Sequence, residues 1–335
     1  MVNILWMTRK GEAYVGAPST RHGFEQAVNQ ITHSVFAGEE WPLHIPNERL
    51  EDTVERLMPD VDWVIDKDLN LHVKKPVDLN VAHFISDLHG KHHYGVTTPG
   101  GHIDLLNRVG YRTIFLRYPE IHGTSSPSNV YKYALKPNGY WVPWSFDPKR
   151  FHPHRTSRYE ATFIGSTNNS VYPLRAQIRA ELEKLGETHK VFLAESPRGR
   201  TFERRIADHL AGNRYAEVLG QSNMFIFDCS KYRYPLQKFF EGLGSGCLVM
   251  ATKPGGAEAL GLIDGKTYVE INPVNWRDKL HYYLENLGAA RKIANSGHKM
   301  ALKYHTHDVR AKQFVRYLKL GLNSPKQTIT GDDVA

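Results

Sequence analysis

Lys238 and Glu241 stand three residues apart in Tyr234-Pro-Leu-Gln-Lys-Phe-Phe-Glu-Gly-Leu-Gly-Ser-Gly-Cys-Leu-Val-Met-Ala-Thr252. A lysine can neutralise a phosphate, and a carboxylate can accept hydrogen bonds from two hydroxyls. Leu236, Phe239, Phe240 and Leu243 fall at i, i+3, i+4 and i+7, one apolar helical stripe. That spacing sets Lys238 and Glu241 side by side on another face. The plain alternative is a solvated salt bridge, which contributes only ~0.3–0.5 kcal/mol. Pro235 suits a first helical turn, and Gly244 and Gly246 end the helix ahead of a strand over Cys247–Thr252. A phosphate-cradling loop needs its glycines between a strand and a helix start. Gly242-x-Gly244-x-Gly246 follows a helix, so it is not a dinucleotide fingerprint.

A second constellation is Asp87-Leu-His89-Gly90 at the end of the apolar run Val81–Ser86, with His92 and His93 just beyond. Asp87 and His89 are residue types able to move a proton, and a histidine that merely caps a helix or packs is the plain alternative. His22, in the glycine-containing loop Arg9–Gly23, is a further candidate base. Glu120, His122 and Ser125 follow the run Arg112–Arg117. Arg198, Arg200, Arg204 and Arg205 form a basic cluster that reads either as a solvated face or as a clamp for an anion.

The elements that must hold these residues alternate. Short apolar runs at Val2–Met7, Asp62–Asp66, Val81–Ser86, Arg112–Arg117, Ala161–Gly165, Lys190–Ala194, Met224–Asp228, Leu248–Thr252 and Lys266–Ile271 read as strands covered on both faces. Helical patterns such as Leu50–Met58, Pro173–Leu185 and Asp308–Leu320 lie between or after them. Such alternation predicts parallel sheets in an α/β protein. The proline-rich stretch around 140–158 reads as an extended connector between two domains of similar size.

Composition narrows the class. With 335 residues, 41% of them hydrophobic, the chain is long enough for two cores and too apolar for a disordered chain. No apolar run approaches the ~18 residues of a membrane helix. The apolar start, Met1 to Met7, is too short for a signal-peptide core, so the expected compartment is the cytoplasm. Two cysteines, Cys229 and Cys247, give no disulfide framework and no metal knuckle. Lysine and arginine number 43 against 35 acidic residues, and the resulting +8 favours an anionic ligand.

Lys238-Phe-Phe-Glu241 and the run on to Thr252 resemble the nucleotide-sugar segment of GT-B glycosyltransferases of group 1. They are most similar to the spore-maturation (CgeB-like) branch, in which K-x-x-E-x-x-x-x-G runs into an apolar strand. Val142-Pro-Trp-Ser-Phe-Asp147-Pro-Lys-Arg-Phe151-His-Pro153 resembles its interdomain linker, P-x-x-x-D-x-x-x-F-x-P. Phe163-Ile-Gly165-Ser166-Thr167 with Arg175 resembles the first strand and loop of its donor domain. Tyr215–Phe227 resembles the helix and strand before the site, and His305-Thr-His307-Asp-Val-Arg310 the closing helix.

The resemblance implies two Rossmann-like parallel-sheet domains facing a cleft: an acceptor domain over 1–145, a linker over 146–158, a donor domain over 159–305, a closing helix over 306–320 and a loose tail over 321–335. It implies sugar transfer from a nucleotide-diphosphate donor of UDP type, a co-substrate, with no cofactor or metal. Glu241 would hold the ribose diol. Lys238, Arg233 and Arg175 would face the diphosphate, with Lys238 acting on the leaving group. Gly165, Ser166 and Thr167 would offer backbone N–H groups, and Asp87 and His89 would serve the acceptor. A related branch carries a second glutamate eight positions before the first, where this chain has Arg233, so retention or inversion stays open. So does the acceptor, with an anionic molecule or a nucleic acid among the options.

Three rival readings suit the same sequence. A DNA-directed transferase or DNA binder suits the charge. A non-catalytic relative of the same fold would keep the architecture alone. Asp87-Leu-His89 also resembles the opening motif of calcineurin-like metallophosphoesterases. That family needs G-D-x-x-D and G-N-H further on, and here the only Gly-Asp-Asp is at 331–333 while Gly-Asn-His is missing.

Overall fold

A computed structural model describes residues 1–8, 23–67, 71, 73, 78–85, 110–118, 139–195, 210 and 212–322. Asp87, His89, His22, Glu120, His122, Ser125, the arginines at 198, 200, 204 and 205, and residues 323–335 of the tail lie outside the described residues.

Two compact units form. Trp144–Val309 make up nearly all of the second, while the residues up to Pro143 and those from Arg310 onward belong mainly to the first. The first holds β1 (Asn3–Met7), β2 (His33–Ala37), β3 (Trp63–Asp66), β4 (Val81–Ile85), β5 (Thr113–Leu116) and β6 (Gly139–Trp141) in the order β2-β1-β3-β4-β5-β6. All five pairings are parallel. β3 and β5 are buried at every position, which is why 63–65 and 114–116 within them read as apolar runs. Phe314, on the helix His307–Leu322, stacks on Trp6 at 5.7 Å and meets Phe115 at 4.6 Å in this unit's aromatic core.

The second unit holds β7 (Tyr159–Ile164), β8 (Val191–Ala194), β9 (Ser222–Phe227), β10 (Leu248–Thr252) and β11 (Val269–Ile271) in the order β11-β10-β9-β7-β8, again all parallel. Phe163, Ile178, Leu182, Met224, Ile226, Met250 and Trp276 belong to its core. The chain steps outward from β7 to β8, then returns past β7 to lay down β9, β10 and β11. The winding therefore reverses between β7 and β9, and open sheets of this kind take ligands beside the carboxyl ends of the strands at that reversal.

Four details differ from the sequence reading. β2 and β6 were not expected. The 146–158 stretch packs into the second unit, with Phe146 and Phe151 fully buried and the Phe146 N–H donating to His305 O at 3.1 Å. Pro173 and Pro235 each stand two residues before their helices, Arg175–Leu185 and Gln237–Gly244. The N–H of Leu174 goes to the Asp228 carboxylate and that of Leu236 to Tyr234 O, so those residues cap the helices and the prolines lead into the caps. At the far end Cys247 N–H reaches Gly242 O at 3.0 Å, and Gly246 takes φ +76, the left-handed turn that closes a helix. Among the described residues no helix is long and apolar enough to cross a membrane.

Candidate functional site

The helix Gln237–Gly244 follows β9 and descends toward β10, so its first turn stands at the carboxyl edge of the sheet. Phe239, Phe240 and Leu243 bury its apolar face, and Glu241 is buried with them at 4% exposure. That excludes the solvated salt bridge. Lys238 and Glu241 turn to other partners: Lys238 Nζ donates to Ile164 O, and Glu241 Oε2 accepts from the Tyr215 hydroxyl at 3.0 Å. Glu241 Oε1 has no hydrogen-bond partner among the described residues, and it is not sealed from solvent.

Ile164 ends β7, and Gly165 follows it. A Cβ at Gly165 would lie 2.8 Å from Lys238 Nζ and 3.2 Å from an Arg175 guanidinium nitrogen, so glycine lets both cations approach the strand end. Arg175 is 2% exposed. Its Nε and Nη2 donate to Asp228 O at 2.9 and 2.6 Å, Nη1 reaches Ser166 O at 3.4 Å, and the guanidinium lies 3.4 Å from the Tyr172 ring centroid. Asp228, just past β9, ties the edge together. Its carboxylate accepts from Leu174 N–H at 3.0 Å, Ser230 N–H at 2.9 Å and Thr252 Oγ1 at 3.2 Å. Both ends of the β7–β9 reversal are thus bridged by cations resting on carbonyl oxygens.

Titration follows from this placement. Burial pushes the Glu241 carboxyl up to about 7, while the Tyr215 hydrogen bond, Lys238 and Arg150 pull the other way. Burial, then Arg175, hold the Lys238 ammonium well below its ordinary value, and Glu241 opposes them. Desolvation and Glu241 keep the Tyr215 phenol well above its usual value, so it retains its proton and donates. Arg150 also lines a groove of about 380 Å³ between residues 147–154 and the helix Gly212–Gly220.

The structure brings together five of the expected residues: Gly165, Ser166, Arg175, Lys238 and Glu241. Arg233 is placed elsewhere on the edge. It has a left-handed φ of +54, its Nε donates to Lys253 O at 3.2 Å, and Lys253 pairs with Glu258 at 2.5 Å. Thr167 follows in the same loop, where Asn168 N–H donates to Ser166 Oγ at 3.2 Å. Asp87 and His89 lie outside the described residues. Tyr215, Asp228 and Arg150 were not anticipated. Tyr215 stands 26 residues from Glu241, and no local spacing announces that contact. Among the described residues no cluster of His, Cys, Asp and Glu could hold a metal ion.

Comparison with known proteins bears on the fold. Residues 171–316, under half of the chain, match a family model described as "Glycosyl transferase-like". The chain is similar to sucrose-phosphate synthase (tll1590) from Thermosynechococcus elongatus, with a TM-score of 0.64 at 13% identity over 97% of this chain and 100% of that one. A glycosyltransferase from Rickettsia africae ESF-5 gives 0.59 at 12% identity over 97% and 99%. Alr3699/HepE from Anabaena, solved in complex with UDP and glucose, gives 0.60 at 11% identity over 96% and 100%. No curated protein sequence matches. At these identities the likeness speaks for the fold, which is two parallel-sheet α/β domains of GT-B type.

Proposed function

We propose that this chain is a glycosyltransferase that moves a sugar from a nucleotide-diphosphate donor, of UDP type, to an acceptor hydroxyl, with the donor held on the second unit. One observation carries the reading: a buried carboxylate with one unengaged oxygen stands beside two buried cations at the β7–β9 reversal. On this reading Glu241 Oε1 accepts from the ribose hydroxyls. Arg175 and Lys238 make their hydrogen bonds to carbonyl oxygens rather than to carboxylates, and a diphosphate beside them would favour the charged form of Lys238. In the transfer the bond from the sugar C1 to the phosphate oxygen breaks and its electron pair goes to the diphosphate. The acceptor oxygen bonds to C1 and gives its proton to a base, for which Asp87 and His89 are the candidates. Lys238 offsets the charge growing on the leaving oxygen.

The spacing of Lys238, Glu241 and Gly246, together with the Pro143-to-Pro153 pattern, supports placement near the spore-maturation branch. It also supports the division into an acceptor domain, 1–145, and a donor domain, 159–305. The metallophosphoesterase and DNA-directed readings gain nothing from the second unit's geometry.

Calorimetric titration with UDP, GDP, TDP, ADP and CMP tests the proposal. The expected result is binding of UDP that weakens about tenfold or more in Glu241→Ala, as loss of hydrogen bonds to a charged group requires, with the melting temperature kept. Binding of none of the five, or wild-type affinity in that variant, overturns it.

A further inference from the structure

The Tyr215 phenol that meets Glu241 is not used by the transfer chemistry. Tyr215 sits on the helix Gly212–Gly220, and its ring is met edge-on by fully buried Phe151 at 6.0 Å and 75°. Phe151 belongs to the stretch that packs into the second unit ahead of β7, so the ring is fixed from a separate part of the chain. The hydroxyl takes one carboxylate oxygen of Glu241 and leaves the other. Accepting one fixed donor orients a carboxylate and favours its ionised form, while the second oxygen keeps its lone pairs for a ligand.

We propose that Tyr215 is a positioning residue that orients Glu241 for the ribose and favours its ionised form, and so sets the pH range over which the donor binds. This rests on the donor reading given above. The groups that face Glu241 are Lys238 on its own helix, Tyr215 on the helix Gly212–Gly220 and Arg150 ahead of β7. Arg175 acts on both Lys238 and Tyr215, and Cys247 stands near the phenol. Of the groups opposing the burial of Glu241, Tyr215 acts most strongly. Tyr215→Phe removes that hydrogen bond and leaves the ring against Phe151.

The test pairs two measurements. Titration of the Glu241 carboxyl carbon by NMR, with no ligand present, should show a midpoint near 7 in the wild type. In Tyr215→Phe it should rise by about one unit, the shift expected for one hydrogen bond to a charged group. UDP affinity in Tyr215→Phe should then fall about fivefold at pH 7 and return to the wild-type value near pH 9. A merely structural role would lower affinity at every pH. Should Tyr215→Phe fail to fold, fluorotyrosine at position 215 keeps the ring and strengthens the donor, and the midpoint should move down instead. An unmoved midpoint overturns the inference whether or not UDP binds. A moved midpoint without UDP binding leaves Tyr215 in its role toward Glu241 and overturns the ribose reading.

Discussion

Lys67 and Lys238 both stand near the carboxyl ends of parallel strands, one in each unit, and their surroundings differ. Lys67 follows β3 and pairs with Glu25, whose side chain is fully buried. Lys238 points at a backbone carbonyl. The same contrast holds for two tyrosine–carboxylate pairs. Tyr111 donates to Asp66 in the first unit, where His83 Nδ1 lies 3.0 Å from Asp66 O and 3.9 Å from its carboxylate. Tyr215 donates to Glu241 in the second, where the other oxygen is unengaged. A carbonyl dipole satisfies a cation's hydrogen bonds without cancelling its charge, whereas a carboxylate does both. Lys67 and Tyr111 therefore hold the first sheet's described residues together, whereas Glu241 in the second keeps acceptor capacity for something from outside.

If that contrast is sound, the two lysines must fail differently. Lys67→Met should cost about 3 kcal/mol of stability, the usual toll for breaking a buried ion pair from one side. Urea unfolding would register it, and UDP binding by the folded fraction should not change. Lys238→Met should instead lower kcat about 100-fold, as loss of a transition-state cation does. Its KM should move only a few-fold and its urea midpoint little. A large stability loss in Lys238→Met with kcat intact would erase the distinction.

A third experiment uses pH. Glu241 is raised from 4.5 in the unfolded chain to about 7 in the fold. Stability tied to that group is complete below its unfolded value and is lost as pH rises through 7. Glu241→Gln escapes this loss, so its unfolding free energy should gain on the wild type by about 2 kcal/mol between pH 5 and pH 8. Parallel curves would mean that the carboxylate is solvated like any surface acid. The smallest effect is expected for Gly165→Ala. The new methyl would press on the end of Lys238, a flexible side chain that can swing aside. Stability should change by less than about 1 kcal/mol, while kcat drops several-fold. Unchanged kcat would show that the lysine's approach to the strand end is not needed.

Much of this was legible in the chain. β10 was read to the residue, and the other expected strands to within three, because parallel strands covered on both faces leave continuous apolar runs. β2, His33–Ala37, escaped because it starts with polar residues at the edge of its sheet, and β6 has only three residues. The helix Leu287–Tyr304 buries Ala290, Ile293, Ala294, Gly297 and Ala301, a stripe in which only Ile293 is a large apolar side chain, so its pattern is faint. In the site, Lys238 and Glu241 could be found from their i, i+3 spacing and the glycines that follow. Their true partners could not. A lysine on the carbonyl of Ile164 and a phenol on Glu241 are contacts across 74 and 26 residues, made by strand order rather than by local pattern.

Phe314 completes an aromatic core that Trp6, Phe84 and Phe115 begin. During synthesis those three rings leave the ribosome long before their fourth member does. The first sheet's core therefore lacks that ring until nearly all of the second unit's residues, 144–309, have been made. The earlier-made half thus depends for its full core on one of the last helices to be made.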